Sequence, residues 1–315
     1  MKILIAYDGS ESSDAAIDDL RHAGLPRTID ALVMSLADVF LPPRINEDDE
    51  NTLPMHVPAS VRLAHKRAEN EVQQASALAK RASEQVKQRF PEWSVSHEAF
   101  ADSPAWAIVR RAEEWQADLV VVGAHGRSLL GGRLILGSVS QRVLYEASCS
   151  VRVARSRRRD VDSPLRLVIG VDNSPDSNSA VDAVCTREWP EETEVRLVGI
   201  VDTGLAFTSD PSQPSLMKWI EVTDDENRDQ VGQIFEPSAD KLRSAGLDAA
   251  VVITKGNPKE QLIEEAESWG ADCIVVGAKG VRGIDRLLLG SVSSAVAARA
   301  PCSVEVVRPK SMTTV

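Results

Sequence analysis

The sequence has few of the features that mark metal centres and disulfide-stapled domains. It contains four cysteines in 315 residues. No CxxC pair occurs, and no cysteine stands at metal-ligand spacing from a histidine. We therefore expect reduced, buried thiols, which are typical of a cytosolic protein, and we assign no metal ligands.

Long apolar runs are also missing. No stretch approaches the roughly 18 apolar residues that a membrane helix needs. The opening MKILIAYDGS carries one lysine and a short apolar run that ends at an aspartate, with no small-residue cleavage site behind it. We expect a cytoplasmic protein with no secretory signal and no membrane partner.

An excess of positive charge is absent as well. The formal net charge of −11 argues against nucleic acid and against anionic membranes as general partners. The one basic run, RSRRR at 155–159, is followed at once by acidic residues and is interpreted as a solvated linker. Hydrophobic content of 43% and charged content of 26% are ordinary for a globular protein of about two domains.

An internal repeat organises the chain. AEEWQADLVVVGAHG at 112–126 aligns with AESWGADCIVVGAKG at 266–280, and ten of the fifteen positions are identical. Downstream, GSVSQRVLYEASCSVRVAR at 137–155 matches GSVSSAVAARAPCSVEVVR at 290–308. The repeat predicts two whole domains, 1–156 and 164–315, joined by a short linker.

Within each copy, short Val- and Ile-rich runs alternate with helical stretches. Near-continuous apolar strands separated by helices indicate parallel strands covered on both faces. The predicted fold class is α/β, with two tandem doubly wound, Rossmann-like domains of roughly five parallel strands each. We expect Pro237 to start or kink a helix. A 3.6-residue apolar period predicts one face of a long helix in the first copy, formed by Ala64, Ala68, Val72, Ala75, Ala79, Ala82 and Val86.

Each copy has a glycine-rich loop after its fourth predicted strand. In the second copy it contains Gly277 and Gly280, and a Gly-Ser pair at 290–291 opens the next helix. Ligands of doubly wound sheets bind at the carboxyl ends of the strands, where the strand order reverses. Glycines there permit positive φ and close backbone approach, while loop amides and a helix N-terminus attract phosphate. Asp8 and Asp172, at the ends of the first strands, could accept hydrogen bonds from a ribose or base.

A structural interpretation of the same residues stays open. The glycines could only make tight turns, with Ser138 and Ser291 as helix N-caps. The pattern is neither a Walker A motif nor a dinucleotide GxGxxG. The first copy carries ten residues between Gly126 and Gly137, where the second has nine, and it reads ADSP at 101–104 where the second has KGNP. We therefore expect the second copy to be the better phosphate site.

Both copies resemble the nucleotide-binding type of the universal stress protein family over essentially the whole chain. The resemblance rests on the strand-end aspartate in AYDGS and GVDNS, the segments ADLVVVGAHG and ADCIVVGAKG, the Gly-Ser-Val loop and the closing CSV. It implies a stress-response regulatory protein that binds ATP, alone or with Mg²⁺. The adenine would lie between the first two strand ends and the phosphates on the glycine loop.

The resemblance also assigns nucleotide contacts position by position. In the second half these are Val171, Asp172, Val201, Val276, Gly277, Lys279, Gly280, Gly290, Ser291, Val292 and Ser293. In the first half they are Tyr7, Asp8, Ala37, Val122, Gly123, His125, Gly126, Gly137, Ser138, Val139 and Ser140. Lys279 could act as a point charge on phosphate, and His125 at the matching place could donate to it.

The last strand of each copy is predicted to lie at a sheet edge. In the family such strands pair across a twofold axis, so the two halves could form an intramolecular pseudo-dimer, and two chains could pair again as a homodimer. Two other functions stay open: a dimerisation and signalling module that binds no nucleotide, and a slow ATP hydrolase. We assign no catalytic residue, because no base or arginine finger for phosphoryl transfer is evident.

Overall fold

The structure is a computed structural model that describes residues 1–39, 59–125, 136–156, 163–201, 225–280 and 289–309. Strands and helices alternate along these residues as the sequence predicts. The strands are β1 (Lys2–Ala6), β2 (Asp30–Ala37), β3 (Ser94–Ala101), β4 (Leu119–Gly123), β5 (Ser150–Ala154), β6 (Arg166–Val171), β7 (Glu194–Val201), β8 (Asp248–Lys255), β9 (Cys273–Gly277) and β10 (Ser303–Val307). The helices are α1 (Glu11–Asp19), α2 (Ala59–Arg89), α3 (Pro104–Glu114), α4 (Ser138–Glu146), α5 (Pro175–Cys185), α6 (Asp225–Ser244), α7 (Pro258–Trp269) and α8 (Ser291–Arg299).

All these strands form one sheet, in the order β3-β2-β1-β4-β5-β10-β9-β6-β7-β8. Within each half the strands are parallel, and β5 meets β10 antiparallel at the centre. The predicted α/β class with two tandem doubly wound halves is confirmed. The halves also pair within the chain through their last strands, as the pseudo-dimer prediction expected.

Local capping signals mark half of the described helix starts, those of α1, α3, α5 and α7. Ser10 and Ser174 accept hydrogen bonds from backbone N–H groups in the first turns of α1 and α5. Prolines occupy the first positions of α3, α5 and α7, where the missing N–H costs nothing. The expectation that Pro237 starts a helix is wrong, because α6 runs through it from Asp225. Phe235 and Ala239, on either side of the proline, are buried in the core and hold the helix in place.

The long helix α2 packs on β2 and β3 with the predicted apolar face. Ala68, Ala75 and Ala79 on that face are buried, as are Ala82 and Val86 further along it. Ala64, at the beginning of the predicted face, is exposed, and Val72 is half-buried. No helix in the described ranges is long and apolar enough to cross a bilayer.

The strand order reverses between β1 and β4 in the first half and between β6 and β9 in the second. Ile5 lies beside Val121, and Gly170 beside Val276, so the carboxyl ends of these strand pairs share one edge. Each half therefore brings its strand-end aspartate and its first loop glycine to the same switch point.

Candidate functional site

A tight turn fixes each strand-end aspartate. Oδ1 of Asp172 accepts a hydrogen bond from the Ser174 N–H at 3.0 Å, and Oδ1 of Asp8 accepts one from the Ser10 N–H at the same distance. The residue between them is left-handed in both halves, with φ of 61° at Asn173 and 77° at Gly9. Asparagine and glycine are the residue types that adopt this conformation most readily.

The glycine loop comes back against this turn. A Cβ added at Gly280 would overlap Oδ2 of Asp172, so the carboxylate and the loop are in contact. A Cβ at Gly277 would lie 2.5 Å from the carbonyl carbon of Asp176, and one at Gly123 would lie 2.6 Å from that of Ser12. These positions require glycine because the backbone at the start of the first helix of each half, α5 or α1, approaches closely.

The expectation of positive φ in the loop is not met among the described glycines. Gly123, Gly277, Gly280 and Gly290 all lie outside the left-handed region. Gly126 falls outside the described residues. The described loop glycines are therefore explained by close approach and not by an unusual backbone conformation.

In each Gly-Ser pair the glycine, and not the serine, is the N-cap of the helix that follows. Gly137 and Gly290 are the N-caps of α4 and α8, and neither helix has a side-chain cap hydrogen bond. Ser138 and Ser291 are the first helical residues, so the alternative that they are N-caps is wrong. An N-terminus without a side-chain cap keeps its partial positive charge available to an anion.

Two hydrogen bonds tie each of these helix starts to the end of its strand. The Gly290 N–H donates to the Ala278 carbonyl at 2.7 Å, and the Ser293 hydroxyl donates to the Gly277 carbonyl at 2.6 Å. The first half has the same pair, with the Ser140 hydroxyl donating to the Gly123 carbonyl at 2.6 Å. Ser140 and Ser293 are buried, so their hydroxyls position the loop.

Two residues of the loop environment were not predicted from the sequence. Oδ2 of Asp176 accepts a hydrogen bond from the Lys279 N–H at 3.0 Å, and Oγ of Ser12 accepts one from the His125 N–H at 3.0 Å. Ser12 and Asp176 occupy equivalent positions in the first turns of α1 and α5. The same loop amide is thus held by a neutral hydroxyl in the first half and by a carboxylate in the second.

The side chains beside the strand ends also differ between the halves. Val171 is buried at the end of β6, whereas the first half has a buried Tyr7 whose hydroxyl donates to Oδ1 of Asp14 at 2.7 Å. Burial, followed by the bond to Asp14, raises the pKa of Tyr7 to about 12. Ala37 and Val201 end the neighbouring strands β2 and β7.

The remaining predicted contacts are spread between the sheet and the loop. Val122 and Val276 are buried in β4 and β9. Val139 and Val292 are the second residues of α4 and α8 and pack partly buried against the core. Nε2 of His125 is buried and has no hydrogen-bond partner among the described residues.

The described residues therefore form two similar clusters, one at each switch point. In the second half the strand-end carboxylate, the glycine loop with the half-buried Lys279 and the start of α8 lie at one edge of the sheet. No group of three or more His, Cys, Asp and Glu side chains in the described ranges could hold a metal ion. Such clusters are typical of anion-binding sites in doubly wound α/β proteins.

The chain belongs to the universal stress protein family. The model of that family matches residues 1–155 and again residues 165–308. A universal stress protein of Mycobacterium tuberculosis (strain ATCC 25618 / H37Rv) is 26% identical over 320 residues, which cover 95% of each chain. One of Mycolicibacterium smegmatis is 33% identical over 207 residues, which cover 62% of this chain and 63% of the relative.

A solved structure of the family shares the fold over nearly the whole chain. A universal stress protein from Archaeoglobus fulgidus superposes with a TM-score of 0.63 at 17% identity and covers 98% of both chains. A universal stress protein in complex with cAMP covers 46% of this chain at 25% identity, with a TM-score of 0.31.

Proposed function

We propose that this chain is a stress-response regulator that binds ATP at the carboxyl edge of its sheet, with the second half as the stronger site. Each proposed domain, 1–156 and 164–315, carries one such site. The observation that carries the proposal is the contact between the Asp172 carboxylate and Gly280, next to the start of α8, which no side chain caps. Together these supply acceptors for a sugar or base and donors for phosphate.

The phosphate end of the proposed site would use charge and backbone together. The N-terminal amides of α8, at Ser291 and Val292, would face the phosphates, and the ammonium of Lys279, a half-buried residue, would add a cation. An anion at a helix N-terminus gains about 0.3–1 kcal/mol when exposed and more when partly buried. Mg²⁺ would arrive with the nucleotide and be held mainly by phosphate oxygens and water.

The base end would use apolar side chains at the neighbouring strand ends. Val171 and Val201 lie at the ends of the adjacent strands β6 and β7. Oδ2 of Asp172 would accept a hydrogen bond from the ribose or the base. In the first half, Tyr7 and Ala37 would contact the base, and Asp8 would accept the hydrogen bond. The ring of Tyr7 would take the place of the smaller Val171 side chain.

One observation favours the rival function, a signalling module of the same fold that binds no nucleotide. The N–H groups of Lys279 and Gly290 are already bonded to Asp176 and Ala278 within the protein. A ligand would have to use the other donors of the loop and helix. Titration with ATP separates the two functions.

A matched pair of glycine substitutions tests the proposal. A Cβ at Gly280 would meet the Asp172 carboxylate, whereas a Cβ at Gly232 meets nothing within 4 Å. Calorimetric titration of the nucleotide-free full chain should show ATP binding that Gly280→Ala weakens about tenfold or more, equal to about 1.4 kcal/mol, and that Gly232→Ala leaves unchanged. Absence of any binding in the wild-type chain, with or without Mg²⁺, would favour the rival.

A further inference from the structure

The two halves meet at a buried pair of opposite charges. Arg152 in β5 lies directly across from Glu305 in β10, and neither side chain has any exposed surface. The two residues occupy equivalent positions of the repeat, 153 residues apart. The pseudo-twofold axis of the pair therefore passes between an arginine and a glutamate.

Two further charges, Asp19 and Arg187, extend this pair into a line of four across the interface. Oδ2 of Asp19 accepts a hydrogen bond from Nε of Arg152 at 2.6 Å, and Nη1 of Arg152 lies 3.2 Å from Oε2 of Glu305. Glu305 also accepts two hydrogen bonds from the guanidinium of Arg187. The line Asp19–Arg152–Glu305–Arg187 alternates in sign and takes two residues from each half. Each buried charge thus has a partner of opposite sign, as buried charges require.

The repeat does not reproduce this line. At equivalent positions, 164 residues apart, Asp19 corresponds to Ala183 and Arg187 corresponds to Ala23. If two first halves paired in the same way, Arg152 would face a second Arg152. If two second halves paired, Glu305 would face a second Glu305. A buried contact between like charges is strongly unfavourable at such short distances.

Shape is also asymmetric near the same axis. The Glu188 N–H donates to the Gly24 carbonyl at 3.0 Å, and a Cβ at Gly24 would lie 2.5 Å from the indole ring of Trp189. Gly24 corresponds to Glu188 in the repeat, and Leu25 corresponds to Trp189. If two second halves paired, the Trp189 ring would meet the Glu188 side chain of the other copy. If two first halves paired, Leu25 would stand where Trp189 packs over Gly24.

Other contacts across the interface are the same in both directions. Nη2 of Arg155 donates to the Ala297 carbonyl at 2.5 Å, and Nη2 of the equivalent Arg308 donates to the Leu144 carbonyl at 2.6 Å. The Arg155 and Arg308 N–H groups donate to the hydroxyls of Ser303 and Ser150. Any pairing of two halves, like or unlike, could form these bonds. They therefore strengthen the interface without choosing the partner.

We propose that the charge line and the Gly24–Trp189 contact make this interface selective for unlike halves. The surface around β5 accepts a partner that carries a carboxylate opposite Arg152 and an aromatic ring over Gly24, and it rejects a second copy of itself. Consequently, β5 of one chain does not pair with β5 of another chain, and β10 does not pair with β10. This selectivity is independent of nucleotide binding.

The test counts pair types after the covalent link is removed. A protease site placed between residues 156 and 163 allows the folded full-length chain to be cut into its two halves. The cut protein is unfolded, refolded and examined by native mass spectrometry. Unlike pairs should dominate. A statistical mixture of like and unlike pairs would overturn the proposal.

Two double variants separate selectivity from affinity. Arg152→Met with Glu305→Met removes the like-charge penalty, so the fraction of like pairs should rise, while the unchanged Gly24–Trp189 contact still favours unlike pairs. Arg155→Ala with Arg308→Ala removes contacts that every pairing shares. The pairs should therefore separate at a lower temperature, but the pairs that form below it should still be unlike. A loss of selectivity in the second variant, or none in the first, would contradict the assignment.

The uncut chain gives a second measurement that needs no refolding of separate halves. Glu305→Arg places two arginines face to face, whereas Glu305→Gln removes the charge only. Glu305→Arg should have the lower unfolding temperature and a larger radius of gyration by small-angle X-ray scattering, as the halves separate. Equal unfolding temperatures and equal radii in the two variants would overturn the proposal.

Discussion

Glycine is needed at certain positions of the carboxyl edge because a side chain there would overlap neighbouring atoms. Gly277 faces the backbone of Asp176 at the start of α5, and Gly123 faces the backbone of Ser12 at the start of α1. Backbone atoms of a capped helix cannot move aside as a flexible side chain can. These glycines therefore stabilise the fold of the site whether or not a ligand is bound.

We predict that Gly277→Ala destabilises the protein because its Cβ would overlap the first turn of α5. Overpacking of this kind typically costs 1–3 kcal/mol, and we expect about that loss in the free energy of unfolding in urea. Gly232→Ala makes the same chemical change where a Cβ has open space, and it is the control. Equal stability of the two variants would show that the close approach is not required.

The loop amide at position 279 gives a second prediction at this scale. Asp176 holds it with a carboxylate, whereas Ser12 holds the equivalent His125 amide with a hydroxyl. Asp176→Ser keeps an acceptor but removes a negative charge beside the proposed phosphates, so it should tighten ATP binding severalfold, an effect of about 1 kcal/mol. Ser12→Asp should weaken binding to the first half. Calorimetric titration of both variants with ATP measures the two changes in affinity. If both variants bind ATP more tightly, or both more weakly, the explanation by charge is wrong.

At the scale of elements, the helices that begin at the proposed phosphate sites end against the opposite half. Arg155 donates to carbonyls at the C-terminal end of α8, and Arg308 does so at α4. Burial lowers the pKa of Arg155 to about 10. A guanidinium at a helix C-terminus satisfies carbonyls that the helix leaves unpaired and interacts favourably with its dipole.

Arg155→Ala should therefore loosen a helix in the other half. We expect faster amide hydrogen exchange in α8 and little change in α4, with a local cost of about 1–2 kcal/mol. Arg308→Ala should give the reverse, so each variant is the control of the other. Equal effects on both helices would indicate a general loss of stability and not a contact across the interface.

The elements were largely predictable from the sequence because each is encoded locally. Apolar runs gave the strands, and the prolines and serines at helix starts gave most of the caps. Pro237 does not start α6, because burial of Phe235 and Ala239 outweighs a penalty on the order of 3 kcal/mol, and a kink at this proline stays a prediction. The serines of the Gly-Ser pairs were misjudged as possible caps because the glycines before them already have the extended backbone of an N-cap.

The contacts that shape the site and the interface were not predictable in the same way. Asp176 meets the Lys279 amide, and Arg152 meets Asp19 and Glu305, across more than 100 residues of sequence. Periodicity and capping signals report only on neighbouring residues, so they carry no information on such pairs. The repeat did hold one usable signal, since Arg152 and Glu305 differ in charge within strands that match at three of their other four positions.

At the scale of the whole molecule, the buried charges make stability depend on pH. Burial alone would raise the pKa of Glu305, but Arg187 and Arg152 outweigh it and hold the pKa below its ordinary value of 4.5. Because the folded pKa is below the unfolded one, the carboxylate stabilises the protein above pH 4.5, and this contribution is lost as pH falls through the folded pKa.

Glu305→Gln should therefore be less stable than the wild type near neutral pH, and the difference should shrink below about pH 4.5. Urea midpoints of both proteins, measured from neutral to acidic pH, check this. Curves that stay parallel through the acidic range would show that Glu305 is not ionised in the folded protein.

If this chain binds ATP, the number of nucleotides bound per chain can be counted. Equilibrium dialysis of the full-length protein against ATP and Mg²⁺ would be compared with Gly290→Val and Gly137→Val, which alter the helix start of one half each. We expect at least about one ATP per chain, with the tighter binding lost in Gly290→Val and kept in Gly137→Val. No bound ATP in the wild-type protein, together with no thermal shift on adding ATP and Mg²⁺, would contradict it.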